Sequence, residues 1–114
     1  MPAFLRAADA AVQALIPGSR PVPFGHLGDG NIHYNVSQPV GADTKAYLGR
    51  WYEMNAAVHA VVARFGGSIS AEHGIGVVKR ELLPSVKDPV AFALMRDLKH
   101  LLDPKGILNP GKVL

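Results

Sequence analysis

Residues 20–38 predict a β-hairpin, which restricts the folds open to this chain. Two extended runs, Val22 to Leu27 and Asn31 to Ser37, flank the dipeptide Asp29-Gly30. That dipeptide accepts the positive φ angles of a two-residue turn between antiparallel strands. Pro23 cannot donate a ladder hydrogen bond, so the first arm of the hairpin is expected at the edge of a sheet.

Three helices are predicted around the hairpin from apolar spacing and capping residues. Pro2 suits the first turn of the first helix. Asp43-Thr44 can cap the second helix, which Gly66-Gly67 ends. Asp88-Pro89 opens the last helix, and Pro104 stops it. The apolar stripes of these helices, expected to face inward, are Phe4, Ala8, Ala11, Val12 and Leu15; Tyr47, Trp51, Met54, Val58, Val62 and Phe65; and Ala91, Leu94, Met95, Leu98 and Leu102.

Ser68 to Ser70 is expected to form one more short strand. The resulting order predicts an α+β fold: an incomplete ferredoxin-like unit (α-β-β-α-β) followed by C-terminal helices, with residues 1–114 forming a single domain. A complete unit begins with another strand, which lies at the centre of its sheet. We therefore expect the sheet to be incomplete, closed differently, or completed by an upstream segment or by a second copy in a homodimer.

Composition excludes several classes of protein. The chain has 114 residues, 48% of them hydrophobic, which suits a globular domain with its own core. It has no cysteine, so thiolate metal sites and disulfides are excluded. The net charge of +3 comes from dispersed residues rather than from a basic block, so no nucleic-acid partner is expected. No apolar run is long enough to span a bilayer and no signal peptide is recognisable, so a cytoplasmic location is expected.

The hairpin carries two histidines that can act together. If Asp29-Gly30 forms a two-residue turn, His26 and His33 lie directly opposite each other, roughly 4.5–5.5 Å apart at Cβ and on one face. Two imidazoles at that separation can share a divalent metal. Asn35 projects from the same face and can offer its amide to an anionic or hydroxylated substrate. The alternative is that the glycines shape a hairpin and the histidines are merely half-exposed side chains.

A second set of polar residues follows in a glycine-rich loop. Glu72 can complete a three-ligand metal site with the two hairpin histidines and leave positions open for substrate. His73, its neighbour, points elsewhere in an extended backbone and can take a hydroxyl proton near neutral pH. The alternative is a glycine-rich turn with a surface Glu-His pair.

Three separated stretches together resemble a known family. They are GHLGDGNIH (25–33), GSISAEHGIG with Lys79 after it (67–79), and DPKGILNPGKV (103–113). In this order they resemble the C-terminal domain of FAD-linked oxidases, a group that includes D-lactate dehydrogenase, the flavin subunit of glycolate oxidase and D-2-hydroxyglutarate dehydrogenase. The similarity runs along nearly all of the chain.

The resemblance implies a substrate-side cap domain that packs over a flavin held by a separate FAD-binding domain, which has no counterpart here. It implies a divalent metal, zinc in the first instance, bound by His26, His33 and Glu72. His73 would be the general base and a substrate contact, and Asn35 a second substrate contact. Asn109 lies in a tail that resembles the family's flavin-side C-terminus and would approach FAD.

The sequence therefore predicts the C-terminal substrate and metal-site part of a flavin-dependent D-2-hydroxy-acid dehydrogenase, which moves hydride from the acid to FAD. Its expected partners are a small 2-hydroxy acid and an FAD-binding domain or subunit. The isolated chain is expected to be inactive. The alternative is a non-catalytic dimerisation module that binds a metal or a carboxylate.

Overall fold

The computed structural model describes residues 1–70 and 72–114; Ala71, the first residue of the predicted loop, lies outside the described residues. In this described part the α+β class is confirmed, with five α-helices, one 3-10 turn and a two-stranded antiparallel sheet. The elements are α1 (Pro2–Leu15), β1 (Arg20–His26), β2 (Asn31–Ser37), α2 (Thr44–Gly49), α3 (Trp51–Arg64), the 3-10 turn (Arg80–Leu82), α4 (Leu83–Val86) and α5 (Pro89–Leu102).

The chain divides into two compact units, Met1–Ala71 and Glu72–Leu114. The first unit has a core between α1, α3 and the inner face of the hairpin. Val12, Ile16 and Met54 are buried at its centre. Full burial of such side chains stabilises a fold by roughly 1.5–3 kcal/mol each. The partly buried residues packed around them are Leu15, Tyr34, Val36, Tyr47 and Val58.

The register of the hairpin differs from the prediction. β1 and β2 pair with His26 opposite Asn31 and Phe24 opposite His33, so a four-residue turn from Leu27 to Gly30 replaces the predicted two-residue turn. The Asp29 side chain explains the longer turn, because its Oδ1 accepts a hydrogen bond from the Asn31 backbone N–H at 3.2 Å. Such an Asx-type contact fixes a turn through a side chain rather than through a paired backbone. The direct opposition of His26 and His33 was therefore a wrong prediction.

The predicted second helix is confirmed in position but is broken in two at Arg50. Its start is capped as expected: Asp43 accepts a hydrogen bond from the Ala46 backbone N–H at 2.6 Å. At the break, the Arg50 guanidinium donates to the carbonyl of Leu15 at 2.9 Å and ties α3 to the end of α1.

The buried stripe of α3 lies slightly off the predicted one. Met54 is buried as expected, whereas Val61 is 3% exposed and takes a core position that the pattern did not assign to it. Trp51 and Phe65, predicted to face inward, are exposed. Met54 and Val61 lie seven residues apart, about two helical turns, so they share the one face of α3 that is buried.

Ser68 to Ser70 does not form the predicted strand, and the sheet in the described residues has two strands only. A strand is defined by hydrogen bonds to a neighbour, so a segment with strand-like composition needs one beside it. The finer prediction of a ferredoxin-like α-β-β-α-β unit is therefore not realised, while the coarser α+β class is.

The last helix of the second unit is capped as predicted, since Asp88 accepts a hydrogen bond from the Ala91 backbone N–H at 2.9 Å. Its apolar stripe, however, does not face inward: Leu94, Leu98 and Leu102 are 57%, 49% and 73% exposed. The reason is the absence of a covering layer, because no residue of α5 is buried in the described part of this unit.

None of the helices in residues 1–70 and 72–114 has both the length and the apolar character needed to cross a membrane.

Candidate functional site

One face of the hairpin gathers three of the predicted site residues. Residues directly opposite each other in a sheet project to the same side, as do residues two apart along a strand. The pairing of Phe24 with His33 therefore puts His26, His33 and Asn35 on one face, together with Phe24 itself. His26 and His33 share a face as predicted, although they are not directly opposite each other. The observed register differs from the predicted one by two residues, and an even shift keeps each side chain on its face. His26 and His33 are now diagonal neighbours, a relation still within reach of long side chains.

The His33 imidazole has a defined neighbour on this face. Its ring stacks on Phe24, with ring centres 5.0 Å apart and planes inclined by 17°. More than half of the Phe24 side chain is exposed, so its ring forms an apolar surface beside the imidazole. The sequence analysis did not single out Phe24; once the register is known, its place opposite His33 is the signal that identifies it.

His26 lies where the strand enters the turn. Its Nδ1 is 3.7 Å from Oδ2 of Asp29, and both side chains are well exposed. Asp29 therefore accepts the turn's hydrogen bond from the Asn31 N–H through Oδ1, while its Oδ2 faces His26. A carboxylate at this distance can orient the imidazole ring.

Gly25 permits the two strands to approach closely just before the turn. A Cβ at this position would lie 2.0 Å from the carbonyl oxygen of Asn31. Only glycine fits this backbone contact. The spacing between His26 and His33 therefore depends on a residue whose side chain is a single hydrogen.

The opposite face of β2 is fixed to the core by two tyrosines. The Tyr34 hydroxyl donates to Oδ1 of Asp9 on α1 at 2.6 Å, and the Tyr47 hydroxyl donates to the carbonyl of Val36 at 2.7 Å. Burial, and then the hydrogen bond and charge of Asp9, raise the pKa of Tyr34. Burial likewise raises the pKa of Tyr47. Both phenols therefore stay neutral and keep donating at physiological pH.

The other predicted site residues belong to the second unit. Glu72 and His73 both lie in an exposed bend before the 3-10 turn. Asn109 is exposed and has a positive φ of 49°, a conformation that asparagine tolerates better than most residues. Within neither unit do three His, Asp or Glu side chains of residues 1–70 and 72–114 form a group able to hold a metal ion.

Asp103 organises the tail of the second unit. Its carboxylate accepts hydrogen bonds from the backbone N–H groups of Ile107 and Leu108, each at 2.9 Å, and pairs with the Lys99 ammonium. The Lys99 hydrogen bond first, and then those from the backbone, lower the pKa of Asp103 although burial opposes the shift. The tail that carries Asn109 is thus held to the end of α5.

Comparison with known proteins identifies a family for nearly the whole chain. Residues 1–113 match the family described as FAD linked oxidases, C-terminal domain. The chain is 42% identical over 113 residues to D-2-hydroxyglutarate dehydrogenase of Stutzerimonas stutzeri (strain A1501), covering 99% of this chain and 24% of that protein. It is 50% identical over 93 residues to mitochondrial D-2-hydroxyglutarate dehydrogenase of Rattus norvegicus, covering 82% of this chain and 16% of that protein.

A further relative carries another name. D-lactate dehydrogenase of Archaeoglobus fulgidus is 43% identical over 93 residues, covering 82% of this chain and 20% of that protein. The chain thus spans a quarter or less of the length of these curated relatives. The match covers nearly every residue from the first helix to the tail, and the chain belongs to the C-terminal domain family of the FAD-linked oxidases.

Proposed function

We propose that this chain is the substrate-side part of an FAD-dependent dehydrogenase of D-2-hydroxy acids. The observation that carries the proposal is the exposed hairpin face, where His26, His33 and Asn35 lie together in a chain of this family. Relatives named for D-2-hydroxyglutarate and D-lactate support the class of substrate. The alternative is a module that binds a metal or a carboxylate without turnover. It would use the same hairpin face, but His73 would not act as a general base.

Two of the three proposed metal ligands share a surface that suits them. His26 and His33 project from the same side of the hairpin as diagonal neighbours, and imidazole nitrogen is a preferred ligand of zinc. Glu72 would add a carboxylate oxygen, leaving open positions for substrate as in catalytic zinc sites. The metal would polarise the substrate oxygen as a Lewis acid.

The remaining steps belong to side chains of this chain. Asn35, exposed on the same face as the histidines, donates its amide N–H to the substrate carboxylate or hydroxyl. His73 accepts the proton of the substrate hydroxyl on an imidazole nitrogen, which leaves electron density on oxygen and favours loss of the hydrogen on the adjacent carbon. Phe24 excludes water from one side of His33 through their stacked rings.

FAD supplies the hydride acceptor when it is bound, and this chain does not hold it alone. The glycines of the hairpin turn lie between two strands, whereas a dinucleotide cradle needs glycines between a strand and a helix. Asn109 is proposed to contact the flavin from the tail. The uncovered apolar stripe of α5 suits a helix that packs against another domain, which we propose is the one that binds FAD.

A domain exchange tests the proposal. This chain would replace the matched region of the Stutzerimonas stutzeri relative, and dye reduction would be measured with D-2-hydroxyglutarate and with its L isomer. We expect a flavin-loaded chimera that turns over the D isomer. His73→Ala in the chimera should lower kcat by about 10²–10⁴-fold, the usual contribution of a general base. His100→Ala, at an exposed position on α5, is the matched control and should leave kcat unchanged.

A chimera that folds, retains flavin and shows no turnover would overturn the assignment. Metal analysis of the same chimera addresses the ligands separately. We expect about one zinc or manganese per chain, lost in His26→Ala and in His33→Ala but kept in His100→Ala. Full metal retention in both hairpin variants would exclude these ligands, and turnover lost in them but not in His73→Ala would exclude His73 as the base.

A further inference from the structure

An open cleft of about 470 Å³ lies within the first unit, beside β2. Its apolar surface comes from Phe4 on α1 and from Val62 and Phe65 at the end of α3. The residues that line it are Met1, Phe4, Asp29, Gly30, Asn31, Ile32, Val62, Phe65, Gly67, Ser68 and Ser70. The cleft is thus bordered by the first residues of β2 and by the segment that was predicted to be a strand.

The edge of β2 that does not face β1 can accept another strand. On β1, Pro21 and Pro23 have no N–H, so the rungs that exchange hydrogen bonds are the alternate ones, at residues such as Phe24. This leaves the backbone groups of Ile32 and Tyr34 pointing away from β1. In residues 1–70 and 72–114, no backbone hydrogen bond joins either residue to a segment other than β1.

The first residues of β2 also contain an unsatisfied polar atom. Among the described residues, no hydrogen-bond partner reaches the buried side-chain oxygen of Asn31, a residue at the border of the cleft. A buried polar atom without a partner costs roughly 1–3 kcal/mol, so a donor supplied from outside the described residues would stabilise the start of β2.

The chain's own direction indicates how a strand would enter. Met1 lines the cleft together with Asn31 and Ile32, and α1 begins at Pro2. A strand that ends at Met1 therefore has its last residue beside the first residue of β2, which is the antiparallel arrangement. Its apolar side chains would cover Phe4 and Phe65.

We propose that the cleft is a strand-acceptor groove, filled by the segment that precedes α1 in the sequences of the relatives. That segment would pair with the open edge of β2 and add a third strand to the sheet. The matched region makes up 24% or less of each relative cited above, and the family is defined as a C-terminal domain, so those proteins contain a long upstream portion to supply it. Strand addition to an exposed sheet edge is a common mode of peptide recognition.

Hydrogen exchange with a synthetic peptide tests the groove. The peptide, of about ten residues to exceed a typical strand, copies the Stutzerimonas stutzeri relative directly upstream of the matched region. We expect it to slow exchange of the Ile32 and Tyr34 amides by about tenfold or more. A scrambled peptide should protect neither of them. The measurement needs no flavin, metal or turnover, so its result is independent of the proposed function.

Two variants on α3 locate the binding. Phe65→Asp places a charge in the cleft and should weaken peptide binding by about tenfold or more, since a desolvated charge is costly. Tyr52→Asp, on the same helix at an 80% exposed position away from the cleft, is the control and should bind the peptide as wild type does.

Three results would overturn the proposal. The first is no binding of the peptide to the folded chain. The second is binding that leaves the Ile32 and Tyr34 amides unprotected or survives Phe65→Asp unchanged. The third is protection of those amides without peptide that rises with chain concentration alongside a dimer in sedimentation, because a second copy would then occupy the groove.

Discussion

Replacing Gly25 with alanine is expected to destabilise the first unit more than any other glycine change in the hairpin. The added Cβ would lie 2.0 Å from the Asn31 carbonyl oxygen and 3.0 Å from the Ile32 Cα. Both atoms are backbone, so no side-chain rotation relieves the contact and the strands must separate locally. Overpacking strain and about one weakened ladder hydrogen bond together predict a loss of about 2–4 kcal/mol in unfolding free energy.

Two neighbouring glycines calibrate this prediction. Gly28→Ala meets no heavy atom within 4 Å and has no positive φ, so its effect should stay within about 0.5 kcal/mol. Gly30→Ala also meets no atom within 4 Å, but its φ of +74° should cost about 1 kcal/mol. The expected order of destabilisation is therefore Gly25, then Gly30, then Gly28.

Urea unfolding measures the series. Trp51, the single tryptophan of the chain, lies on α3 in the same unit and reports its unfolding by fluorescence. At a urea dependence of about 2 kcal/mol per molar, the middle of the typical range, Gly25→Ala should lower the midpoint by about 1–2 M. Equal midpoints for Gly25→Ala and Gly28→Ala would refute the close approach of β1 to Asn31, and with it the register on which the face of His26 and His33 depends.

Three further changes test the supports around the site. Tyr34→Phe removes the hydrogen bond to Asp9 and should lower the free energy of unfolding by about 1–2 kcal/mol, measured by urea unfolding. Because the folded-state pKa of Tyr34 is raised, the phenol's contribution to stability is fully present below its ordinary pKa of 10.0 and falls as the pH rises above it. Asp103→Asn should lower Tm at pH 7. Because the folded-state pKa of Asp103 lies below its ordinary 3.8, this contribution to stability is present above pH 3.8 and is lost as the pH falls through the lowered value. The Tm values of wild type and variant should therefore converge as the pH falls below 3.8, and a constant gap would contradict the pairing with Lys99. Asp88→Ala should cost about 1 kcal/mol through loss of the α5 cap, and an unchanged Tm would show that the cap contributes nothing.

Local sequence signals predicted the helices well because each signal acts over a single turn. Pro2, Asp43 and Asp88 mark helix starts that the structure confirms, and in the two aspartates the capping oxygen accepts the expected backbone hydrogen bond. Such contacts span three residues and need nothing from the rest of the fold. The break at Arg50 escaped the prediction, since its guanidinium binds the carbonyl of Leu15, a residue far away in sequence.

In the hairpin, the sequence predicts which residues share a face more reliably than it predicts which residues pair across the strands. Asp29-Gly30 favours a tight turn, but the Asp29 carboxylate bonds to the Asn31 N–H and Gly25 admits the Asn31 carbonyl, which together fix a longer turn. Both contacts are local to the hairpin, but they involve Asn31 and Gly25, which lie outside the Asp-Gly dipeptide, so the dipeptide alone could not predict them. The register still moved by an even number of residues, which preserves the face of every side chain. His26 and His33 therefore share a face in either register.

Two structural predictions failed for one physical reason: the strand at Ser68 to Ser70 and the inward-facing apolar stripe of α5. Ser68 to Ser70 has the composition of a strand and borders a groove beside β2, while α5 has an apolar stripe that the described part of its unit leaves in solvent. The spacing of apolar residues predicts which face of a helix or strand is buried, but it does not identify the segment that packs against that face. A strand needs a neighbour for its hydrogen bonds and an apolar stripe needs a layer to pack against. Both patterns are therefore consistent with neighbours supplied by the larger part of the proteins in this family, and the peptide experiment tests the neighbour of β2 directly.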